Sequence, residues 1–343
     1  MVRPKLYTNA FEPTAAVPTR KPAARPAPKA PVIKKNKGSA ADPSRPAVFL
    51  KGGMRCELSR RSIARGGEGD IYTIENDNAH CCKIFKRPLN AEQEARLADT
   101  IETFRRLRSV RHEISAFICP PEEIVYDRED KPVGYIMKLV EGGKPLSYFA
   151  EYDINFMEGY CREDQLLLCE QTAYVVGLLH TSDIVIGDLD ESNIIVKDNG
   201  AVVFVDLNGV GFGSYAAQGF HSAMVSPEHI AGGKDYILTK ADDLWALQTI
   251  IFRLLLPSFE PYNYRNCKDD EEDITEGNYF WTDERRIVTP AAAALYNSLP
   301  LRLKVYFADC FHREGEYFDA SKRPDAFTVM RMLHKCREDI RKG

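Results

Sequence analysis

Residues 184–208 read IVIGDLDESNIIVKDNGAVVFVDLN, and this stretch decides the fold class. Short apolar runs flank a polar loop that contains Asp188 and Asn193, and a further apolar run ends at Asp206. Short apolar runs bounded by polar residues are typical of buried strands, so the pattern predicts strand, loop, strand. Carboxylate and amide oxygens at such strand ends are the ligands that Mg²⁺ prefers. The alternative is that the two aspartates form turns after the strands, a role that requires no metal ion. Their joint spacing with Asn193 favours the metal site.

Upstream, residues 64–71 read ARGGEGDI and predict a glycine-rich turn between two strands. Glycine allows a backbone to approach phosphate groups that a side chain would block. Lys83 follows on the next strand between apolar neighbours, where an ammonium is costly to bury unless it faces an anion. Gly-rich hairpins and surface lysines are both common alone. Together with Asp188 and Asp206, however, they indicate a nucleotide-phosphate site.

A small sheet and one helix surround this lysine. Strands are predicted where apolar and polar residues alternate, at 62–66, 70–74, 80–85, 122–126 and 133–140. Asn90 can cap a helix from Ala91 to about Val110. Glu102 lies mid-helix and could pair with Lys83, because a helix end and a connector then remain before the next strand. Glu94 is the competing candidate.

Beyond Gly142-Gly143 the periodicity becomes helical, so the chain is predicted to be α+β. Amphipathic segments cover residues 164–180, 241–255, 291–311 and 323–336. His180 ends the first of these helices, and there it is expected to be a structural hydrogen-bonding residue rather than a catalyst.

The composition describes a basic arm before an acidic body. Residues 1–50 carry a net charge of about +8, although the whole chain of 343 residues carries -4. Nine of the twenty prolines lie in the first 46 residues, so residues 1–50 are predicted to be a disordered tail. A solvated tail is the simplest interpretation. A docking role would suit an acidic or anionic partner.

The cysteines and the hydropathy favour a cytoplasmic protein. Nine scattered cysteines suggest neither a disulfide framework nor a zinc motif, which indicates a reducing compartment. No apolar window approaches the length of a membrane span, and the N-terminus lacks the apolar core of a signal peptide. We also find no specific nucleic-acid motif.

From about Leu58 to His334, roughly four-fifths of the chain, the sequence resembles the protein-kinase catalytic domain. ARGGEGDIY is similar to the phosphate-covering loop and HCCK to the strand of the ATP-binding lysine. GDLDESN resembles the catalytic loop, DLN the Mg²⁺-binding triplet and MKLVEGG the hinge.

The resemblance implies a bilobal fold, with an N-lobe at 55–141 and a mainly helical C-lobe at 142–340. It also implies roles for individual residues. The catalytic residues would be Lys83, Glu102 and Asp188, and the metal ligands Asn193 and Asp206. Met137 would be the gatekeeper, with the backbones of Lys138 and Val140 on adenine. The full set expected to contact ATP is Ala64, Gly66, Gly67, Gly69, Ile71, Cys81, Lys83, Met137, Lys138 and Val140.

Three later motifs separate the subclasses. Small-molecule kinases of the aminoglycoside or choline type share a similar catalytic loop. VSPEHI, DDLW and KRPDA, however, resemble motifs of kinases that phosphorylate protein. In that family the late arginine, here Arg323, pairs with Glu228. A protein substrate is therefore favoured, with a small-molecule kinase as an alternative.

Several residues depart from the family pattern. Ile186 and Gly187 replace the family's His-Arg before Asp188, and Asp190 stands where a lysine is usual. Asn208 replaces the glycine of Asp-Phe-Gly, and Ala64 replaces the first loop glycine. These departures resemble a divergent bacterial-type Ser/Thr protein kinase. They also leave open an inactive nucleotide-binding scaffold.

Overall fold

The computed structural model describes residues 46–151, 159–262, 270–279, 281 and 290–342. An antiparallel sheet with one long helix precedes a mainly helical part, which confirms the α+β, bilobal, kinase-like architecture. Most of the predicted tail, residues 1–45, lies outside the described residues. Ala47–Phe49 form a strand of the sheet, so ordered structure begins before residue 50.

Seven strands build the first sheet, in the order β2-β1-β6-β7-β5-β4-β3, and every adjacent pair is antiparallel. They are β1 Ala47–Phe49, β2 Arg55–Glu57, β3 Ala64–Arg65, β4 Gly69–Ile74, β5 Asp77–Phe85, β6 Glu123–Tyr126 and β7 Pro132–Lys138. Strands β3 to β7 lie where the alternation predicts them. Strands β1 and β2 were not predicted, because three residues are too few to show a period of two.

The register of the central strands aligns the residues of the candidate site. Ile71 on β4 lies opposite Lys83 on β5, and Lys83 lies opposite Tyr135 on β7. Gly69 begins β4 against the backbone of β5, where an added Cβ would lie 2.3 Å from the Ile84 carbonyl oxygen. This glycine is therefore required for close strand packing.

Helix α1, Ala91–Val110, has the predicted bounds and the predicted cap. The Asn90 side chain accepts from the Gln93 amide, and the Gln93 side chain accepts from the Asn90 amide, which forms a capping box. Leu97, Ile101 and Phe104 are buried on one face. Arg96 and Thr100 are buried with them, although both are polar.

A second, three-stranded sheet presents the polar loop. It pairs β8 Lys144–Pro145, β9 Ile194–Val196 and β10 Val202–Phe204 in the antiparallel order β10-β9-β8. The loop before β9 carries Asp188 and Asn193, and β10 ends two residues before Asp206. The turn between β9 and β10 reverses the chain direction. The loop with Asp188 and Asn193 and the segment with Asp206 therefore lie at the same end of this small sheet.

Seven further helices follow in the described part of the chain. They are α2 Arg162–His180, α3 Pro227–Gly232, α4 Lys240–Leu255, α5 Asp270–Glu276, α6 Pro290–Asn297, α7 Leu301–Phe311 and α8 Ala326–Lys342. Helix α4 is buried along almost its whole length and lies in the largest apolar cluster, where α2 packs against both α4 and α8. Among the described residues, no helix combines the length and apolar character that crossing a membrane requires.

Candidate nucleotide and metal site

Lys83 is the buried cation of the site. Only 4% of the residue is exposed, and its Nζ lies 2.5 Å from Asp206 Oδ1. Nζ also donates to Glu68 Oε2 at 3.2 Å and to Asn208 Oδ1 at 3.3 Å. An ammonium has three N–H donors, and here each has an oxygen acceptor. The structure thus brings the predicted lysine and the predicted metal ligand Asp206 together.

Asp206 follows strand β10 and Val205 in the chain. It adopts a left-handed backbone conformation, with φ of 58°. Non-glycine residues rarely adopt this conformation unless their surroundings hold them there. The buried Tyr135 hydroxyl lies 3.2 Å from Asp206 Oδ1 and 3.0 Å from Asn208 Oδ1. Strand β7 therefore contributes a hydrogen-bond donor that the sequence motifs did not indicate.

Asp188 and Asn193 form the second half of the site. The Asn193 Nδ2 donates to the Asp188 carbonyl oxygen and to its Oδ2, both at 3.1 Å. Burial raises the pKa of Asp188, and the negative charges of Asp190, Asp206 and Glu68 act in the same direction. The Asn193 hydrogen bond opposes this rise in pKa. The carboxylates of the two halves are therefore close enough to influence one another.

The loop that carries Asp188 is held from behind by helix α4. Asp243 accepts from the backbone amides of Ile186 and Gly187 at 2.7 and 2.8 Å and lies 2.9 Å from His180 Nε2. His180 thus takes the structural role that was predicted for it. Asp243 supports the loop although the family's arginine before the aspartate is absent.

The predicted pairing of Glu102 with Lys83 is not formed. The Glu102 side chain is 40% exposed and binds Arg105 at 2.7 Å and Arg106 at 2.8 Å, both on its own helix. With 3.6 residues per turn, position 102 lies about 140° around the helix from Leu97, on the side away from the buried face. Helix periodicity therefore excludes this residue from the site.

The competing candidate, Glu94, is not the partner of Lys83 either. Its Oε1 accepts from the Tyr126 hydroxyl at 2.9 Å. The carboxylate that reaches Lys83 from the first lobe is Glu68 of the glycine-rich turn. The register of the β4–β5 hairpin indicates this contact. Gly69 pairs with Phe85, so its neighbour Glu68 lies beside β5, the strand that carries Lys83.

Helix α1 instead forms hydrogen bonds with the segment that follows the predicted Mg²⁺-binding triplet DLN. Arg96 Nη2 donates to the carbonyl oxygens of Gly209, Val210 and Ala216 at 3.1, 3.0 and 2.7 Å. Nearby, the Tyr215 hydroxyl donates to Asp99 at 2.8 Å. Sequence reasoning missed Arg96, although its position beside Leu97 and one turn before Thr100 placed it at the edge of the buried stripe.

The predicted phosphate-covering residues form the β3–β4 hairpin. Ala64 pairs with Ile71, and the Gly66 amide donates to the Gly69 carbonyl at 2.9 Å. A Cβ on Gly67 would meet no atom within 4 Å, so this position is open. The predicted hairpin is therefore formed, and its contact with phosphate stays a prediction.

The predicted adenine-binding residues lie on β5 and at the end of β7. Cys81 pairs with Met137, and both side chains are buried. The Cys81 thiol lies 3.8 Å from the Lys138 carbonyl oxygen. The backbone groups of Val140 have no hydrogen-bond partner within the described ranges, which leaves them available to a ligand.

The family pair of the helical lobe is present. Arg323 Nη2 lies 2.9 Å from both Glu228 carboxylate oxygens, and Nη1 donates to the Ala241 carbonyl oxygen at 3.0 Å. The Arg323 side chain is fully buried. The structure thus confirms the predicted pairing of these two residues.

The residues of the site fit a Mg²⁺ ion. Asn193 turns its Nδ2 towards Asp188, and in the described part of the chain its Oδ1 and the Oδ2 of Asp206 have no hydrogen-bond donor. Among all the residues that the structure describes, no three or more His, Cys, Asp or Glu side chains lie together in a group that could hold a metal. A hard cation would therefore need phosphate or water oxygens to complete its coordination, as is usual for Mg²⁺.

Two curated proteins named as protein kinases are similar to this chain over most of its length. No family model matches the chain. It is 24% identical over 314 residues to protein kinase YegI of Escherichia coli strain K12, which covers 86% of the chain and 47% of the relative. It is 22% identical over 317 residues to protein kinase YegI of Escherichia coli O157:H7, with 87% and 47% covered.

The chain spans about half the length of the curated relatives it matches. The similarity nevertheless extends over both lobes, since it covers most of the chain. Together with the bilobal fold, these relatives support the conclusion that the chain carries a divergent bacterial protein-kinase-like domain.

Proposed function

We propose that this chain is an ATP- and Mg²⁺-dependent protein kinase that transfers the γ-phosphate to Ser or Thr hydroxyls of a protein substrate. The observation that supports this most strongly is the 2.5 Å approach of the buried Lys83 to Asp206, with Asp188 and Asn193 beside them. An ammonium, an amide and two carboxylates are the groups that phosphoryl transfer needs.

Each of these side chains has one task in the proposed reaction. The Lys83 ammonium, once its donors are released from the surrounding oxygens, binds the α- and β-phosphates. Asp206 and Asn193 are the metal ligands. When bound, Mg²⁺ neutralises charge on the phosphate oxygens. Asp188 orients the substrate hydroxyl and accepts its proton, and its raised pKa suits a general base better than that of an exposed carboxylate.

The helical lobe supports a protein substrate. The buried Arg323–Glu228 pair and the Asp243 contacts to the catalytic loop are features that the resemblance associates with kinases of protein. Both curated relatives are named protein kinases. The choice of Ser and Thr follows the resemblance to bacterial kinases of that class.

The test is transfer of radiolabelled γ-phosphate to generic acceptor proteins, with and without Mg²⁺, by the parent chain and by Asp188→Asn. We expect turnover to fall at least about a hundredfold in Asp188→Asn, because the general base is lost, while nucleotide binding persists. The control is Asp183→Asn, which removes an exposed carboxylate bound to Lys240 and should leave turnover unchanged. Equal turnover in Asp188→Asn and the parent would contradict the assignment.

One observation favours a second candidate, a nucleotide-binding scaffold without transferase activity. Asp190 occupies the place of the usual lysine, where its Oδ1 accepts from the Ser192 amide at 2.8 Å. Its other oxygen lies 3.5 Å from His221 Nδ1, and its negative charge acts to raise the pKa of Asp188, so an acid stands near the proposed general base. The scaffold predicts nucleotide binding without transfer to any acceptor. A small-molecule kinase would instead show transfer that depends on a metabolite and on no protein.

A further inference from the structure

Lys83 and Asp206 need support from other side chains, because an ammonium and a carboxylate at a reacting centre must be held in place. Helix α1 does not supply that support, since Glu102 points away from the site and binds two arginines of its own helix. Three other side chains surround the pair, and they come from three different segments. They are Glu68 of the hairpin, Tyr135 of β7 and Asn208 of the triplet.

We infer that Tyr135 and Asn208 are positioning residues, which hold the Asp206 carboxylate and the Lys83 ammonium where metal and phosphate bind, in place of a glutamate from helix α1. The inference rests on the proposed function for what the two groups bind. The hydrogen-bond network itself is independent of that function.

The Asn208 amide is fixed in one orientation by its neighbours. Its Oδ1 accepts from Lys83 Nζ at 3.3 Å and from the Tyr135 hydroxyl at 3.0 Å. Its Nδ2 donates to Glu68 Oε2 at 3.3 Å. A flipped amide would place its NH₂ group against an ammonium and a hydroxyl. The glycine that the family usually carries here could make none of these contacts, so Asn208 has a function that the family residue lacks.

The Tyr135 hydroxyl is equally restricted. The residue is fully buried, its backbone is in register with Lys83, and its ring lies 5.7 Å from that of Phe85. The phenol therefore cannot turn away from the site without disturbing the sheet. Its hydroxyl lies within hydrogen-bond distance of both Asp206 and Asn208, so it links the metal ligand to the amide that contacts the lysine.

The first experiment measures how nucleotide binding depends on Mg²⁺, using displacement of a fluorescent ADP analogue from the purified chain. We expect Tyr135→Phe and Asn208→Gly to raise the Mg²⁺ concentration at half-maximal binding about tenfold, because each removes a hydrogen bond in the network around a charged ligand. Affinity measured without Mg²⁺ should change less than about threefold, because Glu68 and Asp206 still hold the Lys83 ammonium in both variants.

The matched control is Tyr126→Phe. It removes a hydroxyl that donates to Glu94 in the same lobe and contacts neither Lys83 nor Asp206. We expect this variant to keep the parent Mg²⁺ dependence. The inference is overturned if Tyr135→Phe and Tyr126→Phe give the same Mg²⁺ midpoint.

A second readout needs no nucleotide and no metal. The rate at which Lys83 is acylated by an amine reagent is followed by mass spectrometry in the ligand-free protein. Asn208→Gly and Glu68→Gln each remove or weaken an acceptor of the ammonium, so labelling should accelerate about three- to tenfold. Glu102→Gln should label at the parent rate, because the contacts of Glu102 with described residues are to Arg105 and Arg106 and not to Lys83.

The two readouts separate the failure of the inference from that of the proposed function. A parent chain that binds no nucleotide would contradict the proposed function. The acylation rate of Lys83 would still test whether Asn208 and Glu68 hold the ammonium. Labelling of Lys83 in Asn208→Gly at the rate of Glu102→Gln would overturn the network in either case.

Discussion

Asp188, in the helical lobe, and Lys83, in the sheet lobe, are held by residues of different kinds. Behind Asp188 stands Asp243 of the DDLW motif, which accepts from the backbone amides of Ile186 and Gly187. Beside Lys83 stand Glu68 and Asn208, which belong to recognised motifs but had no predicted contact with the lysine, and Tyr135, which belongs to none. The loop of Asp188 is thus held by a residue of a motif that the resemblance identified, whereas Lys83 is surrounded by side chains whose contacts with it were not predicted.

The difference shows which contacts are easily replaced. In the helical lobe one buried carboxylate satisfies two backbone amides, so replacing Asp243 would leave polar groups without partners in the core. Around Lys83 the task is only to surround an ammonium with oxygens, and side chains from different segments of the chain can do this. We therefore expect related chains to vary more around Lys83 than around Asp188.

The largest expected effect tests the helical lobe of this comparison. Glu228→Ala leaves the buried Arg323 guanidinium without its carboxylate, which should lower the free energy of unfolding by about 3–5 kcal/mol. Urea denaturation measures the change. The control Glu102→Ala removes an exposed carboxylate and should leave the urea midpoint unchanged. A stable Glu228→Ala variant would show that the helical lobe does not depend on this pair.

The next effect tests the attachment of helix α1. Arg96→Ala removes the donor of the Val210 and Ala216 carbonyls, whereas the Gly209 carbonyl keeps the Gln218 amide at 2.8 Å, so we expect the free energy of unfolding to fall by about 2–3 kcal/mol. Amide hydrogen exchange in residues 209–216 should accelerate, whereas exchange in α8 should not. Arg96→Lys, which keeps the charge, should recover part of the protection. Unchanged exchange in residues 209–216 of Arg96→Ala would contradict the attachment.

The smallest effect sharpens the description of the glycine-rich hairpin. Gly69→Ala places a Cβ 2.3 Å from the Ile84 carbonyl oxygen, so β4 must shift, and we expect a loss of about 1–2 kcal/mol in urea denaturation. Gly67→Ala meets no atom within 4 Å and should be close to neutral. If the two variants are equally stable, the glycine at position 69 does not serve strand packing.

Much of the fold could be predicted from the sequence, because the signals were local. Asn90 and Gln93 fix the start of α1 within four residues of chain, and alternation fixes the longer strands. The Arg323–Glu228 pair joins residues 95 positions apart, yet it was predicted because the resemblance supplied the pairing. Strands β1 and β2 were missed, since their three residues gain their order from the partner strand rather than from their own pattern.

The support of Lys83 was harder to predict, because it depends on side chains that meet only after folding. Glu102 was chosen for its place along the chain, although the apolar stripe through Leu97 already turned it outwards. The buried Arg96 broke the apolar pattern and so escaped notice. Tyr135 was hidden for the opposite reason, since a tyrosine in an apolar strand looks like an ordinary core residue until its hydroxyl is located.

Asp243 has a consequence for variants far from the site. Its helix α4 is packed on nearly every side, and its two backbone hydrogen bonds join that helix directly to the residues before Asp188. A displacement of α4 caused by repacking at Ile251 or Phe252 would move the loop as well. Core substitutions in this helix should therefore lower turnover and thermal tolerance together, so that screening for one property also selects for the other.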